Sequence, residues 1–134
     1  MLDPARIPPV APSELLARFV LFSGHIRSSD NTVKPDAFMP HPHVELSLTR
    51  HLEATDDEIW QEGERVAAAR GTLHGSADVV ASAFLDESLR VEAKPIGVNP
   101  NHADATGWPP EKAEQKIKAI SIARKCKLTR KRPA

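Results

Sequence analysis

The stretch VELSLTRHLEATDDEIW, residues 44–60, carries two periodicities in succession. From Val44 to Arg50 the residues alternate, with Val44, Leu46, Leu48 and Arg50 on one side and Glu45, Ser47, Thr49 and then His51 on the other. A period of two belongs to a strand with one covered face. Arg50 ends that apolar side with a charge. A few residues later the pattern changes: Thr55 is an N-cap, Glu58 completes a capping box, and Asp56 and Asp57 sit at the positive end of a helix dipole. Ile59, Gly63, Val66 and Ala67 follow at helical spacing, and Gly71 stands where such a helix would end.

Upstream, residues 1–13 contain Pro4, Pro8, Pro9 and Pro12, which remove backbone donors, so they read as a flexible arm. An arm without regular pairing contributes little to a core, and its deletion is expected to leave stability nearly unchanged. RFVLFSGHIR, residues 18–27, is a strand covered on both faces, with His25 and Arg27 at its polar end. Residues 28–42 are rich in turn formers and read as a long surface loop. Downstream, residues 73–84 alternate small apolar residues with His74, Ser76, Asp78 and Ser82 as a strand, with helix as the alternative, and a short strand follows at 89–93. A polar loop then leads to a final helix with Pro110 in its first turn and Ala113, Ile117 and Ile120 on its inner face. These elements predict an α+β fold: a mostly antiparallel sheet of about four strands with two main helices. The single domain is placed at 14–127, between the arm and a basic tail at 128–134.

The totals fit one domain of 134 residues, and with four Phe, two Trp and no Tyr the core must lean on aliphatic residues. Eighteen basic residues balance eighteen acidic ones, but unevenly along the chain. After residue 110 there are nine basic and two acidic residues, which leaves the C-terminal end near +7 and the remainder near −7. The end can meet an acidic protein surface or nucleic-acid phosphates; it holds no aromatic residue for base stacking. A single cysteine, the lack of a membrane-length apolar run and a start unlike a signal peptide lead to the expectation of a cytoplasmic protein with no membrane contact.

His41, His43 and His51 raise the question of a metal. His43 and His51 flank a strand whose length, at ~3.4 Å per residue, separates them by roughly 25 Å, too far to share one ion. No metal and no cofactor are expected. His74, Ser76 and Asp78 share a strand face, but alternate residues lie ~7 Å apart, beyond a hydrogen-bonded relay unless the side chains lean together. His25, Arg27, Lys34, Arg50 and His102 lie at strand ends or in loops, where a site is commonly assembled. They form a candidate anion site, with Arg50, Lys34 and Arg27 as anion holders and His102 and His25 as acid–base groups.

The segments NTVKPDAFMP, IWQEG and HADATGWP together resemble a family of short uncharacterised bacterial proteins with VKPxAFxP, IWxxG and HAxxxGWP motifs, over roughly residues 18–125. No activity comes with the resemblance; its pattern lacks the HPH histidines and keeps His102. Trp60 and Trp108 within it read as packing residues, with Gly63 letting one of them approach the first helix. The function expected from these features is a non-enzymatic accessory or protein-binding module, docking through the acidic first helix or the basic C-terminal end. The competing class is a small enzyme acting on a phosphate-bearing or nucleotide substrate, which requires His102, His25, Arg50 and Lys34 to converge in one cleft.

Overall fold

A computed structural model describes residues 1–40 and 44–131. The fold is α+β, with six strands in one antiparallel sheet ordered β6-β7-β4-β1-β5-β8 and a separate two-stranded hairpin, β2-β3. The strands of the sheet are β1 (Leu15–Val20), β4 (Leu46–Arg50), β5 (Gly75–Val80), β6 (Arg90–Ala93), β7 (His102–Thr106) and β8 (Lys127–Arg130). The hairpin is β2 (Ile26–Arg27) with β3 (Thr32–Val33), and the helices are α1 (Asp56–Ala68), the one-turn α2 (Ser82–Leu85) and α3 (Lys112–Lys125).

Registers between neighbouring strands sort the sheet into two faces. Leu16, Val20, Leu46, Leu48, Ala77, Val79 and Ala105 point one way, into the main core beneath α2 and α3. Phe38, Phe84, Trp108 and Ile122 complete that core, and the Phe38 and Phe84 rings meet edge to face at 6.3 Å. The other face is more polar, carrying Thr49, Ala17, Phe19, Ser76, Asp78, His102 and Asp104. Beneath α1 on that face, Gly63 lies so close to Phe19 and Leu73 that a Cβ would sit 3.0 and 2.9 Å from them. The close neighbours of Gly63 are therefore Phe19 and Leu73 and not a tryptophan.

The expected α+β class holds, and several details are corrected. Six strands form the sheet where about four were expected, because β7 falls in the segment read as a polar loop and β8 in the segment read as a tail. Residues 18–27 do not form one strand: β1 begins and ends earlier, and a 3-10 turn at Ser23–His25 precedes β2. The expected loop at 28–42 contains β3 and a 3-10 turn, Pro35–Phe38, whose Ala37 and Phe38 are buried. On α3 the inner face is Gln115, Ala119 and Ile122, whereas Ile117 is 65% exposed. The last turn of α1 closes onto Ala69 and Gly71, whose N–H donates to Ala67 O at 2.8 Å, with no left-handed glycine.

The proline-rich segment expected to be a free arm lies against the end of the sheet. The terminal amine of Met1 donates to Glu53 O at 2.6 Å and to the Glu58 carboxylate, and Leu2 is buried with its N–H bonded to Asn101 Oδ1 at 2.8 Å. Further along, the Pro8 and Pro9 carbonyls accept from Arg50 at 2.7 and 3.3 Å. Proline cannot donate, but its carbonyl is an ordinary acceptor, and a buried guanidinium needs acceptors. No helix among the described residues is long and apolar enough to cross a membrane.

Candidate functional site

Two grooves lie on opposite faces of the β5–β8 edge of the sheet. The first is built on the polar face, between the start of α1 and β8. Thr55 and Glu58 form the expected capping box: the Thr55 side chain accepts from the Glu58 N–H at 3.2 Å, and Glu58 accepts from the Thr55 N–H at 2.9 Å. That cap fixes Asp56, Asp57 and Trp60 along one wall of a groove of about 670 Å³, with His51, Ser76 and Thr129 on the opposite side. Behind His51, Ser76 and Thr129 of that lining, Asp78 collects three donors. Ser76 Oγ and His51 Nε2 meet Asp78 Oδ1 at 2.7 and 2.8 Å, and Thr129 Oγ1 meets Oδ2 at 3.1 Å.

His51 reaches Asp78 from two strands away because Ala17, on the strand between them, is small. Ser76 and Asp78 do lean together, as a relay would need, but Ser76 donates to the carboxylate and not to an imidazole. Ser76 and His51 thus share the same carboxylate oxygen, and the order is not the serine–imidazole–carboxylate sequence of a relay. His74 takes no part in it.

The second groove, about 750 Å³, lies on the α3 side between the β2–β3 hairpin, the end of α3 and the start of β8. Its floor is apolar, with Val33, Pro35, Ile120, Ala123 and Leu128, and its rim carries Arg27, Arg124 and Lys127. Cys126 also lines it, its thiol pushed up to about 11 by burial, with Asp78 adding to the effect.

The rim is what remains after much of the basic C-terminal end has been engaged by the fold. Lys116 pairs with Asp36, Lys125 with Asp86 at 3.1 Å and Lys131 with Glu64. Lys118 donates to Glu87 O at 2.5 Å, and Arg130 to Asn31 Oδ1 at 3.1 Å. Arg124 and Lys127 have no ion pair among the described residues, and Arg27 has only the exposed Asp30 at 3.8 Å.

The expected anion set does not assemble. Arg50 is completely buried and fully engaged: two of its nitrogens meet the Glu14 carboxylate, and the Pro8 and Pro9 carbonyls take the remainder. His102 is on the opposite face, its Nδ1 at 3.0 Å from Lys94 O and its Nε2 at 3.7 Å from Asp104. Burial raises the Asp104 pKa, with His102 and Lys94 opposing and Glu45 and Glu92 adding. His25 packs edge-on against Phe22, and its pKa is lowered, first by burial and then by Arg18, Lys34 and Lys116, against Asp36. The Lys34 N–H donates to His25 O at 2.8 Å, so these two are neighbours. None of Arg50, His102, His25 and Lys34 lines either groove; of the five expected residues only Arg27 does.

His41 and His43 lie outside the described residues, and among the described residues no three His, Cys, Asp or Glu side chains are grouped to hold a metal. Sequence reasoning passed over Asp78 as a partner for His51, because a contact across 27 positions and an intervening strand leaves no local spacing to read. No family model, no curated protein and no solved structure matches the chain.

Proposed function

We propose that the protein is a non-catalytic binding module whose basic groove receives an acidic, partly apolar segment of another protein. The observation that carries this reading is the convergence of Arg27, Arg124 and Lys127 around an apolar floor, with Arg124 and Lys127 left without an ion pair among the described residues. Three cations attract carboxylates, and burial of apolar side chains on Val33, Ile120 and Leu128 adds a term that a phosphate backbone has nothing to match. No aromatic residue lines the groove for base stacking, which favours a protein partner over nucleic acid.

The test is selection from a displayed peptide library, followed by affinity measurement on the purified chain. Enriched peptides are expected to place Asp or Glu beside Leu, Ile or Val, to bind more weakly as salt rises, and to lose affinity at least about tenfold in the Arg124→Glu/Lys127→Glu variant. Submicromolar binding to random duplex DNA at physiological salt, lost in the same variant, would replace the protein partner with nucleic acid.

A further inference from the structure

The sheet has two outer strands, and only one of them is open. β8 is flanked by the β2–β3 hairpin, which packs on it and accepts from Arg130 at Asn31 Oδ1, 3.1 Å away. β6, at the other end, pairs only with β7. The Lys94 N–H donates to His102 O at 2.9 Å, so by the alternation of an antiparallel ladder Arg90, Glu92 and Lys94 direct their backbone groups inward to β7. Val91 and Ala93 then turn theirs outward, where they meet no hydrogen-bond partner among the described residues. Such an edge is a template for another strand.

The residues of this edge are complementary to themselves. Val91 lies opposite Ala105 and so shares the core face, where it is only partly buried, while Arg90 and Glu92 lie on the polar face opposite Thr106 and Asp104. When two copies of β6 pair antiparallel about a two-fold axis at Val91, the outward N–H and C=O of Val91 bond their counterparts in the other copy, and the Ala93 N–H meets the Leu89 carbonyl. The same register sets Arg90 opposite Glu92 of the second copy, and Glu92 opposite its Arg90, as non-hydrogen-bonded pairs with the closer side-chain spacing. Within one chain these two residues are held loosely, with Arg90 Nε 3.4 Å from Glu92 Oε1 and both side chains exposed. Other registers fit worse. An axis at Glu92 opposes two glutamates and sets Arg90 against Lys94, and an axis at Ala93 sets Val91 against Pro95, which has no N–H to donate.

We infer that the chain forms a symmetric dimer in solution by antiparallel pairing of two β6 edges, Val91 on Val91, so that one sheet runs through both copies. The axis is normal to the sheet, and it brings both copies of α2, which packs against β6 and leaves Leu85 41% exposed, to the same side of the junction. On the other side, the incoming Arg90 adds a cation beside Glu92 and Asp104, where carboxylates are crowded. The basic groove lies at the far edge of each copy and stays open, so the dimer stands independently of the binding reading above. An edge of four residues covers little surface, which places the dimer in the micromolar range.

Sedimentation equilibrium of the full chain at concentrations up to about 500 µM is expected to show a monomer–dimer equilibrium. Amide exchange at Val91 and Ala93 should slow as the dimer forms, while exchange at Leu128 on the far edge stays constant. The register is read from charge. Glu92→Arg sets arginine against arginine and Arg90→Glu sets glutamate against glutamate, so each variant alone should dimerise at least about tenfold more weakly. Their equimolar mixture puts an arginine opposite a glutamate in both places and should form a heterodimer about as tight as the parent dimer, a rescue that a folding defect in either variant cannot produce. A chain that stays monomeric at about 500 µM overturns the inference. So does a dimer that is indifferent to Glu92→Arg, one whose Val91 amide exchanges equally at all concentrations, or a mixture of the two weakened variants that stays monomeric.

Discussion

Asp104 shows how a residue that reads as an ordinary loop carboxylate acquires a cost from its place in the sheet. It sits on β7 opposite Ser47 of β4 and Glu92 of β6, largely buried, and burial is the main reason its pKa is raised, with the Glu45 and Glu92 charges adding. A carboxyl whose folded pKa exceeds its unfolded value favours the folded state fully below the unfolded value, near ~4, and that stability is lost as pH rises through the folded value. At pH 7 the ionised Asp104 thus weighs against the fold. Asp104→Asn is expected to melt a few degrees higher than the parent at pH 7 and to lose that advantage as pH approaches 4. Paired thermal melts at the two pH values check this; a lower midpoint at pH 7, or a gain of equal size at both, would remove electrostatic cost as the explanation.

At the scale of elements, β8 depends on a close approach that only glycine allows. A Cβ at Gly75 would stand 2.6 Å from Thr129 O and 3.2 Å from a Leu128 methyl, and the first of these neighbours is backbone and cannot rotate aside. Gly75→Ala must push β8 away from β5 and stretch the ladder that runs from Asp78 to Arg130. The expected cost is about 1–3 kcal/mol, as for other overpacked sites, read from urea unfolding. Amide exchange in β8 should accelerate more than in β1 or β4. Unchanged protection of Thr129 would show that the strand tolerates the displacement.

Across the whole molecule, the N-terminal segment ties both ends of the sheet chemistry together. It caps Arg50 with the Pro8 and Pro9 carbonyls, buries Leu2, and gives Asn101, itself fully buried, one of its hydrogen bonds. Burying a Leu side chain is worth about 1.5–3 kcal/mol, and loss of acceptors around a guanidinium adds about 1–3 kcal/mol where water cannot replace them. Deleting residues 1–12 is accordingly expected to lower the melting midpoint by about five degrees or more, given roughly 2–8 °C per kcal/mol for domains near this size. The sequence alone led to the opposite expectation, and differential scanning calorimetry of the truncated chain separates the two. A midpoint within two or three degrees of the parent would return the segment to the status of an arm.

The chain itself determined the elements whose signals are local: the alternation that makes Leu46–Arg50 a strand and the Thr55–Glu58 capping box that opens α1, whereas Pro110, expected in the first turn of α3, lies just before its N-cap Glu111. Each depends on residues a few positions apart, and so is written in neighbouring letters. The tertiary structure decided what depends on distant partners. HADAT is too short and too polar to announce a strand, and it becomes one because β4 and β6 lie on either side of it. KLTR reads as a charged tail until β5 offers it a ladder. Arg50, the charge that ends an apolar strand face, was read as a ligand holder, and the structure gives it to Glu14 and two proline carbonyls 36 to 42 positions away. His51 found Asp78 only because an alanine on the strand between them left room for its ring. Contacts of that kind are set by which surfaces meet once the chain has folded, and no spacing along the sequence encodes them.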